Sequence, residues 1–469
     1  MSGFPLTGSL VTESKESVPE CMKFGPYDLE RGGRMLARDV AFKLMSGRYL
    51  ELTGANGSGK TTLLRVIAGR NKQEKETSKR LPIFYFAHQT GFRPELQVSD
   101  QLAFSLQIFD ISLQPADILQ ALETAGLRKQ AYLRVGDLSH GQHRRLLLLV
   151  MAKSRCSLWL IDEPLNALDE QAKGLFAQLL TTHLQQGGTA IVATHISLSQ
   201  ALPRLANYMG GSLMIAGQSS RFQSFGEVNS NQVEFPTQSA DMSPTKSLLW
   251  SVRRELRLIA AKPVDVVWPA VFHLMVVSMF PLAVGAQPEV LLGIAPGIFW
   301  MSAMLAVLMA ASRLFELDDE HGVLVQLNTS RFSLAAFTVG KFAASILSLG
   351  IPLALMSYPM GLLYHLPLSS MHHLCLSLLF GMVSLIAFSG LFAALGLMAR
   401  QAQVMMSLLA FPVFVPLLIF GTAAVNHTAK GFGQGLDWSS PLLVLVSLAV
   451  LTMLTVPLIT AKVLELVVE

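Results

Sequence analysis

Six apolar stretches follow one another through the second half of the chain, centred near Val276, Met304, Leu349, Leu385, Val413 and Val450. Each is near the roughly 20 residues that an α-helix needs to cross a hydrocarbon core. Lipid offers backbone polar groups no partner, so such stretches close their hydrogen bonds internally, as helices. Pro352, Pro412 and Pro416 lie inside them, which membrane helices tolerate. The third and fourth stretches are long enough to tilt or to continue past the bilayer. Only 14% of the 469 residues are charged and the mean hydropathy is +0.45, too apolar for an ordinary soluble protein. Most of that charge falls in the first half, so the averages conceal a soluble half joined to a membrane-embedded one.

The remaining organisation follows from local composition. Residues 1–20 contain Ser and Glu, with neither a basic n-region nor an apolar h-region, and read as a disordered lead. Residues 21–217 alternate short apolar runs with amphipathic helices, the rhythm of an α/β domain. Residues 49–53, 157–161 and 189–193 read as buried strands, and the charged insertion at 70–80 as a surface loop. Residues 218–247 turn polar, with Pro236 and Pro244, and read as a flexible linker. Residues 248–469 are then an all-α, six-helix membrane domain that opens with an interfacial helix. In that helix Leu248, Val252, Leu256 and Ile259 share helical spacing while Arg253, Arg254 and Arg257 fall off the stripe, which suits a lipid surface. Arg253, Arg254, Arg257, Lys262, Arg313, Arg331, Arg400 and Lys462 occupy one set of loops and only Lys430 the other. The positive-inside rule then keeps both termini and the first half in the cytosol. Lys341, near the cytosolic end of the third helix, is expected to snorkel to the interface. Cys21, Cys156 and Cys375 have no metal-ligand spacing, and a net charge of +4 without a long basic face gives no reason to expect nucleic acid.

The chemistry sits in the first half. Gly54-Ala55-Asn56-Gly57-Ser58-Gly59-Lys60-Thr61, followed by Thr62, lies between a strand and a helix. The glycines let backbone N–H groups turn toward phosphate, the helix N-terminus favours an anion, Lys60 meets the β- and γ-phosphates, and Thr61 holds Mg²⁺. Further along come Leu138-Ser139-His140-Gly141-Gln142, then Leu158-Trp159-Leu160-Ile161-Asp162-Glu163-Pro164, Ala167-Leu168-Asp169 and Thr194-His195. This ordered series resembles the ABC ATPase family over about residues 21–217. The resemblance implies ATP and Mg²⁺ as cofactors and ATP hydrolysis as the activity. Asp162 would bind Mg²⁺ through water, Glu163 would polarise the attacking water, and His195 would contact the γ-phosphate. Gln89, in Ala87-His88-Gln89, falls where the family places a Mg²⁺-binding glutamine that senses the membrane domain, and Asp169 falls in its D-loop. In the family, the helix begun by Ser139, His140, Gly141 and Gln142 caps the ATP of the opposite subunit, so a homodimer through the ATPase domains is implied. Two residues depart from the pattern. His140 replaces a small signature residue, and Ala37 stands where many relatives stack an aromatic on adenine, with Tyr27 the ring that could substitute.

The membrane half also resembles a known family. Residues 280–285, 294–300, 313–322 and 411–421 are similar to CcmB, the membrane subunit of the cytochrome c maturation haem exporter. Residues 53–69, 86–96 and the stretch ending at His195 likewise resemble CcmA, its ATPase. The resemblance implies a fusion of two subunits, joined near residues 218–247, with a CcmC-like membrane protein and a CcmE-like haem chaperone as partners. It leaves two versions of the work, haem export or ATP-driven release of the loaded chaperone. A generic exporter of drug, lipid or polysaccharide shares the six-helix architecture and stands as the alternative. Residues 313–327 read as a coupling element near Gln89, with Glu316, Asp318, Asp319 and Glu320 facing basic groups on the ATPase. His365, His372 and His373 lie near the outer face, but there is no CxxCH site, and haem is not expected to be bound stably by this chain.

Overall fold

The computed structural model describes residues 21–31, 34–70, 83–86, 90–165, 170–216, 219–224, 243–285, 287–311, 313–330, 332–398, 402–429 and 441–468. The lead over 1–20, the insertion beyond Arg70, Gln89, Asp169, and the loop charges Arg331, Arg400 and Lys430 lie outside them. Two units emerge from the packing. One holds the described residues through Ser224 together with Glu320–Phe332, and the other holds Ser243–Asp319 and Ser333–Val467.

In the first unit, β1 (Cys21–Arg31) and β2 (Arg34–Met45) form an antiparallel pair. A six-stranded sheet runs β4 (Ile83–Phe86), β5 (Leu158–Asp162), β6 (Thr189–Ala193), β3 (Tyr49–Thr53), β7 (Met209–Ala216) and β8 (Ser219–Ser224). Its strands are parallel except β8, which returns antiparallel beside β7. The short continuous apolar runs of β4, β5 and β6 are what strands covered on both faces require. Alternate residues of β3 enter different cores: Tyr49 joins one, Leu50 and Leu52 the other. The helices are α1 (Lys60–Arg70), α2 (Val98–Gln107), α3 (Pro115–Thr124), α4 (His140–Lys153), α5 (Glu170–Gln185) and the short α6 (Leu198–Ala201). Because β5, β6 and β3 are neighbours and parallel, the loops leaving their C-terminal ends share one edge of the sheet. The reading of 218–247 as linker needs correction at both ends. Ser219–Ser224 pair with β7, and the next helix starts at Pro244.

The second unit is helical: α7 (Pro244–Ala261), α8 (Val264–Val284), α9 (Pro288–Ala311), α10 (Glu316–Glu320), α12 (Leu334–Ser345), α13 (Ile351–Leu355), α14 (Ser357–Leu363), α15 (Leu368–Leu397), α16 (Ala402–Ala429) and α17 (Pro441–Val468). Between α10 and α12, α11 (Val323–Thr329) lies in the segment that packs with the first unit. Among the described residues five helical runs are long and apolar enough to cross a membrane: Val264–Val284, Pro288–Glu320, Leu334–Leu363, Leu368–Leu397 and Pro441–Val468. The sixth expected crossing is the shorter apolar section Ala410–Asn426 within α16. Ile346–Gly350 adopts π spacing just before Pro352, which has no N–H to give the helical ladder.

Two expectations about charge fail here. The buried face of α7 comprises Ser247, Trp250, Ser251, Arg254, Glu255 and Leu258, whereas Leu249 and Leu256 are exposed. Arg254 is thus on the packed side. Nor does Lys341 snorkel, since it is only 2% exposed. Arg254 Nη1 and Nη2 donate to Glu255 Oε1 and Asp318 Oδ1, both at 2.8 Å. Lys341 Nζ meets Asp318 Oδ2 at 2.7 Å and Glu255 Oε2 at 3.1 Å, which closes an alternating ring of two cations and two carboxylates. Asp318, expected to face the ATPase, therefore satisfies cations of its own unit. Aromatic faces complete the enclosure, Trp250 beneath Arg254 and Phe315 beneath Lys341.

Candidate active site

The loop after β3 turns through Gly54, Gly57 and Gly59, whose φ values of +147°, +79° and +112° suit glycine rather than a side-chain-bearing residue. Its tip, Ala55 to Gly57, is exposed, and a Cβ at Gly57 would meet open space. Lys60 Nζ folds back onto Gly54 O at 2.8 Å and Ala55 O at 3.2 Å, so the ammonium is held within the loop. Ser58 Oγ is buried without a hydrogen-bond partner among the described residues. Thr61 and Thr62 enter the first turn of α1 beside Lys60, and Leu63 N donates to Gly59 O at 2.8 Å. A glycine cradle, an inward ammonium and a fresh helix N-terminus form a fitting seat for phosphate.

Facing it across the sheet edge are the ends of β5 and β6. Thr61 Oγ1 donates to Asp162 Oδ2 at 2.8 Å. Burial raises the Asp162 carboxyl above its usual range; the Thr61 hydrogen bond opposes this, and neighbouring Glu163 adds to it. Glu163 adopts φ +48°, a left-handed conformation that costs a non-glycine residue about 1–3 kcal/mol. Its N–H donates to Ala193 O at 2.9 Å, which ties it to the end of β6. His195 Nδ1 donates to Glu163 Oε2 at 2.7 Å. Lys60, Thr61, Asp162, Glu163 and His195 are therefore drawn together, with a hydroxyl–carboxylate pair that fits a hydrated divalent cation.

Ser139 caps α4: its Oγ accepts from Gln142 N at 3.3 Å while Gln142 Oε1 accepts from Ser139 N at 3.0 Å. His140 and Gly141 form the first positions of this helix, and the His140 ring is exposed. The capped terminus is thus a formed donor group on the surface. Tyr27 is 7% exposed and Ala37 fully buried, so Tyr27 is a core residue and offers no free ring to adenine. At Gly59 the nearest side chains from this region are Leu29 and Leu36 instead.

Two features escaped the sequence reading. Glu51, midway along β3, is only 2% exposed and accepts from residues just beyond His195. It was legible as the one charge in the strand Tyr49–Thr53. Leu36 lies against the phosphate loop, for which no motif exists. The segment 313–327, expected near Gln89, supplies Gln326 of α11, whose Nε2 donates to Thr90 O at 2.9 Å, next to Gly91 N donating to His321 O at 2.7 Å. These contacts lie one and two residues past Gln89. Gly91 has φ +73°, and a Cβ there would come within 2.3 Å of Gln326 Oε1. Of the histidines expected near the outer face, His372 and His373 make local bonds, donating to Leu368 O and Ser369 O four residues back.

Comparison with known proteins bears on both halves. Residues 37–166 match the family described as ABC transporter, and residues 246–467 the family described as CcmB protein. The N-terminal half is similar to cytochrome c biogenesis ATP-binding export proteins CcmA. That of Vibrio cholerae is 35% identical over 188 residues, covering 37% of this chain and 91% of that protein. That of Rhodopseudomonas palustris is 36% identical over 185 residues, 37% of this chain and 92% of the relative. That of Paracoccus denitrificans is 41% identical over 170 residues, 36% of this chain and 79% of the relative.

Proposed function

Because the chain belongs to the ABC transporter family as a CcmA-type ATPase fused to a CcmB-type membrane half, we propose that it drives a step in c-type cytochrome biogenesis. The observation that carries this is the pairing of both subunit types in one polypeptide. It is an ATP-binding membrane protein with ATPase activity, and the reading places it in a bacterial inner membrane with both termini in the cytosol.

The site geometry supports roles for individual residues. Lys60 and the N–H groups of Gly57, Ser58 and Gly59 hold the β- and γ-phosphates of ATP, with Gly54 and Asn56 shaping the turn and Thr62 continuing the donor row. Thr61 and Asp162, with Gln89, would hold Mg²⁺, which when bound neutralises phosphate charge. Glu163 accepts the proton of the attacking water as general base. His195, already on Glu163, orients that carboxylate and reaches the γ-phosphate. The second ATP-facing surface is the α4 terminus of Ser139, His140, Gly141 and Gln142, supplied by the partner copy, so two chains complete each site as a homodimer.

The work done on the membrane side is release of a haem-loaded CcmE-like chaperone from a CcmC-like partner, with no haem carried across by this chain. In cells carrying Glu163→Gln, the haem-loaded chaperone should accumulate on the CcmC-like protein and be retrieved with it. If instead no haem reaches the chaperone in those cells, the work is haem export. The Thr90–Gly91 contact to Gln326 gives a route by which changes at the nucleotide reach the segment between α9 and α12. Gly91→Val, which adds bulk at a positive φ against Gln326, is expected to hydrolyse ATP within about threefold of the native rate yet lower haem attachment roughly tenfold. Undiminished haem attachment in that variant would contradict this route.

A further inference from the structure

His195 is exposed, as is Ile196 after it, so the loop that carries the histidine has little packing of its own. What holds it is at its two ends, and both anchors come from β3. On the near side Thr194 N donates to Leu52 O at 3.1 Å. On the far side the Glu51 carboxylate gathers three residues. Leu198 N donates to Oε1 at 2.8 Å, Ser199 N to Oε1 at 3.3 Å, and Ser197 Oγ to Oε2 at 3.2 Å. Thr194 Oγ1 stiffens the span between, accepting from Ile196 N at 3.1 Å and donating to Ile196 O at 2.7 Å.

Glu51 occupies a costly place. It is 2% exposed within a strand whose neighbours Leu50 and Leu52 are fully buried. A carboxylate taken out of water there is strongly disfavoured unless donors replace its hydration. An apolar residue would pack such a strand without that cost. The donors it has gathered belong to the loop that begins two residues after His195. β3 also runs directly into the phosphate loop at Gly54. One strand thereby fixes the cradle for phosphate at its end and the histidine at its side.

We propose that Glu51 is a positioning residue for ATP hydrolysis, acting through His195. It holds Ser197–Ser199 so that His195 Nδ1 stays on Glu163 Oε2, which keeps the general base aimed. No bond to Glu51 forms or breaks in the reaction. The inference rests on the ATPase reading of the site, and the two can fail separately. If the purified native chain hydrolyses no ATP, that reading falls; if only Glu51 variants behave like native, this inference falls alone.

The test is steady-state ATP hydrolysis by the full-length chain in lipid nanodiscs, with Glu51→Gln, Glu51→Asp and His195→Ala alone and combined. Glu51→Gln keeps the shape but loses one acceptor, and should lower kcat roughly tenfold while KM for MgATP stays within about twofold. Glu51→Asp keeps the charge and should recover part of that loss. In the His195→Ala background, adding Glu51→Gln should change kcat by less than about twofold, because the route through His195 is already gone. A second readout does not depend on turnover. Carbethoxylation of His195 in the nucleotide-free chain, followed by mass spectrometry, should be about threefold faster or more in Glu51→Gln as the Glu163 contact loosens. An equal loss of kcat with and without His195, a loss confined to KM, or unchanged His195 reactivity would each overturn the proposal.

Discussion

Replacing Glu163 with glutamine is expected to cut ATP hydrolysis at least about a hundredfold while MgATP binding stays within about threefold of native. The side chain keeps its shape, so the left-handed backbone at φ +48° and the bond from its N–H to Ala193 O are undisturbed. What is lost is the proton acceptor, together with the anionic end of the bond from His195. Lys60, the glycine loop and Thr61, which carry binding in this account, are untouched. Binding of a fluorescent ATP analogue and phosphate release, measured on the same preparation, separate the two effects. A Glu163→Gln chain that hydrolyses ATP at near-native rate would remove Glu163 from the reaction and leave another base to be found.

The second large effect is expected at the ring of Arg254, Glu255, Asp318 and Lys341. All four are at most 8% exposed, and each carboxylate gives one oxygen to Arg254 and the other to Lys341 Nζ. Removing one member leaves an uncompensated charge, a change that destabilises by about 3–5 kcal/mol, whereas well-packed apolar replacement of a whole buried ion cluster is often neutral. Lys341→Met and Asp318→Leu alone should therefore each lower the thermal midpoint and the yield of monodisperse chain from detergent. Replacing all four with apolar residues of similar volume should recover much of both. Single variants with native midpoints would show that the ring contributes nothing to the stability of the helical unit.

The nucleotide site was legible because its chemistry is written in contiguous runs. Gly54 to Thr61 carries its own turn geometry, Asp162 and Glu163 end an apolar strand, and Ser139 with Gln142 spells a capping box three residues apart. The apolar half was legible for a similar reason, since length and composition alone mark its helices. What stayed hidden depends on partners far away in the chain. Glu51 meets Leu198 across 147 residues, and Arg254 meets Asp318 across 64. Read locally, Arg254 was one of three arginines off an apolar stripe, and Lys341 a long side chain near a helix end. Periodicity in α7 misled because its buried face is set by the Asp318 and Lys341 it must reach, not by where its leucines lie. Tyr27 misled in the opposite sense: a ring near the right place in sequence is turned into the core between β1 and β2 and the main sheet.

The central claim is that ATP hydrolysis by this fused chain sustains covalent haem attachment to c-type cytochromes. The most direct measurement is a haem-stained gel of cells lacking the gene, restored with either the native sequence or Glu163→Gln. The account predicts loss of stained cytochromes in the deletion, recovery with the native chain and none with Glu163→Gln. Normally stained cytochromes in the deletion, in a strain holding no second copy of these subunits, would contradict it and leave an exporter of some other cargo.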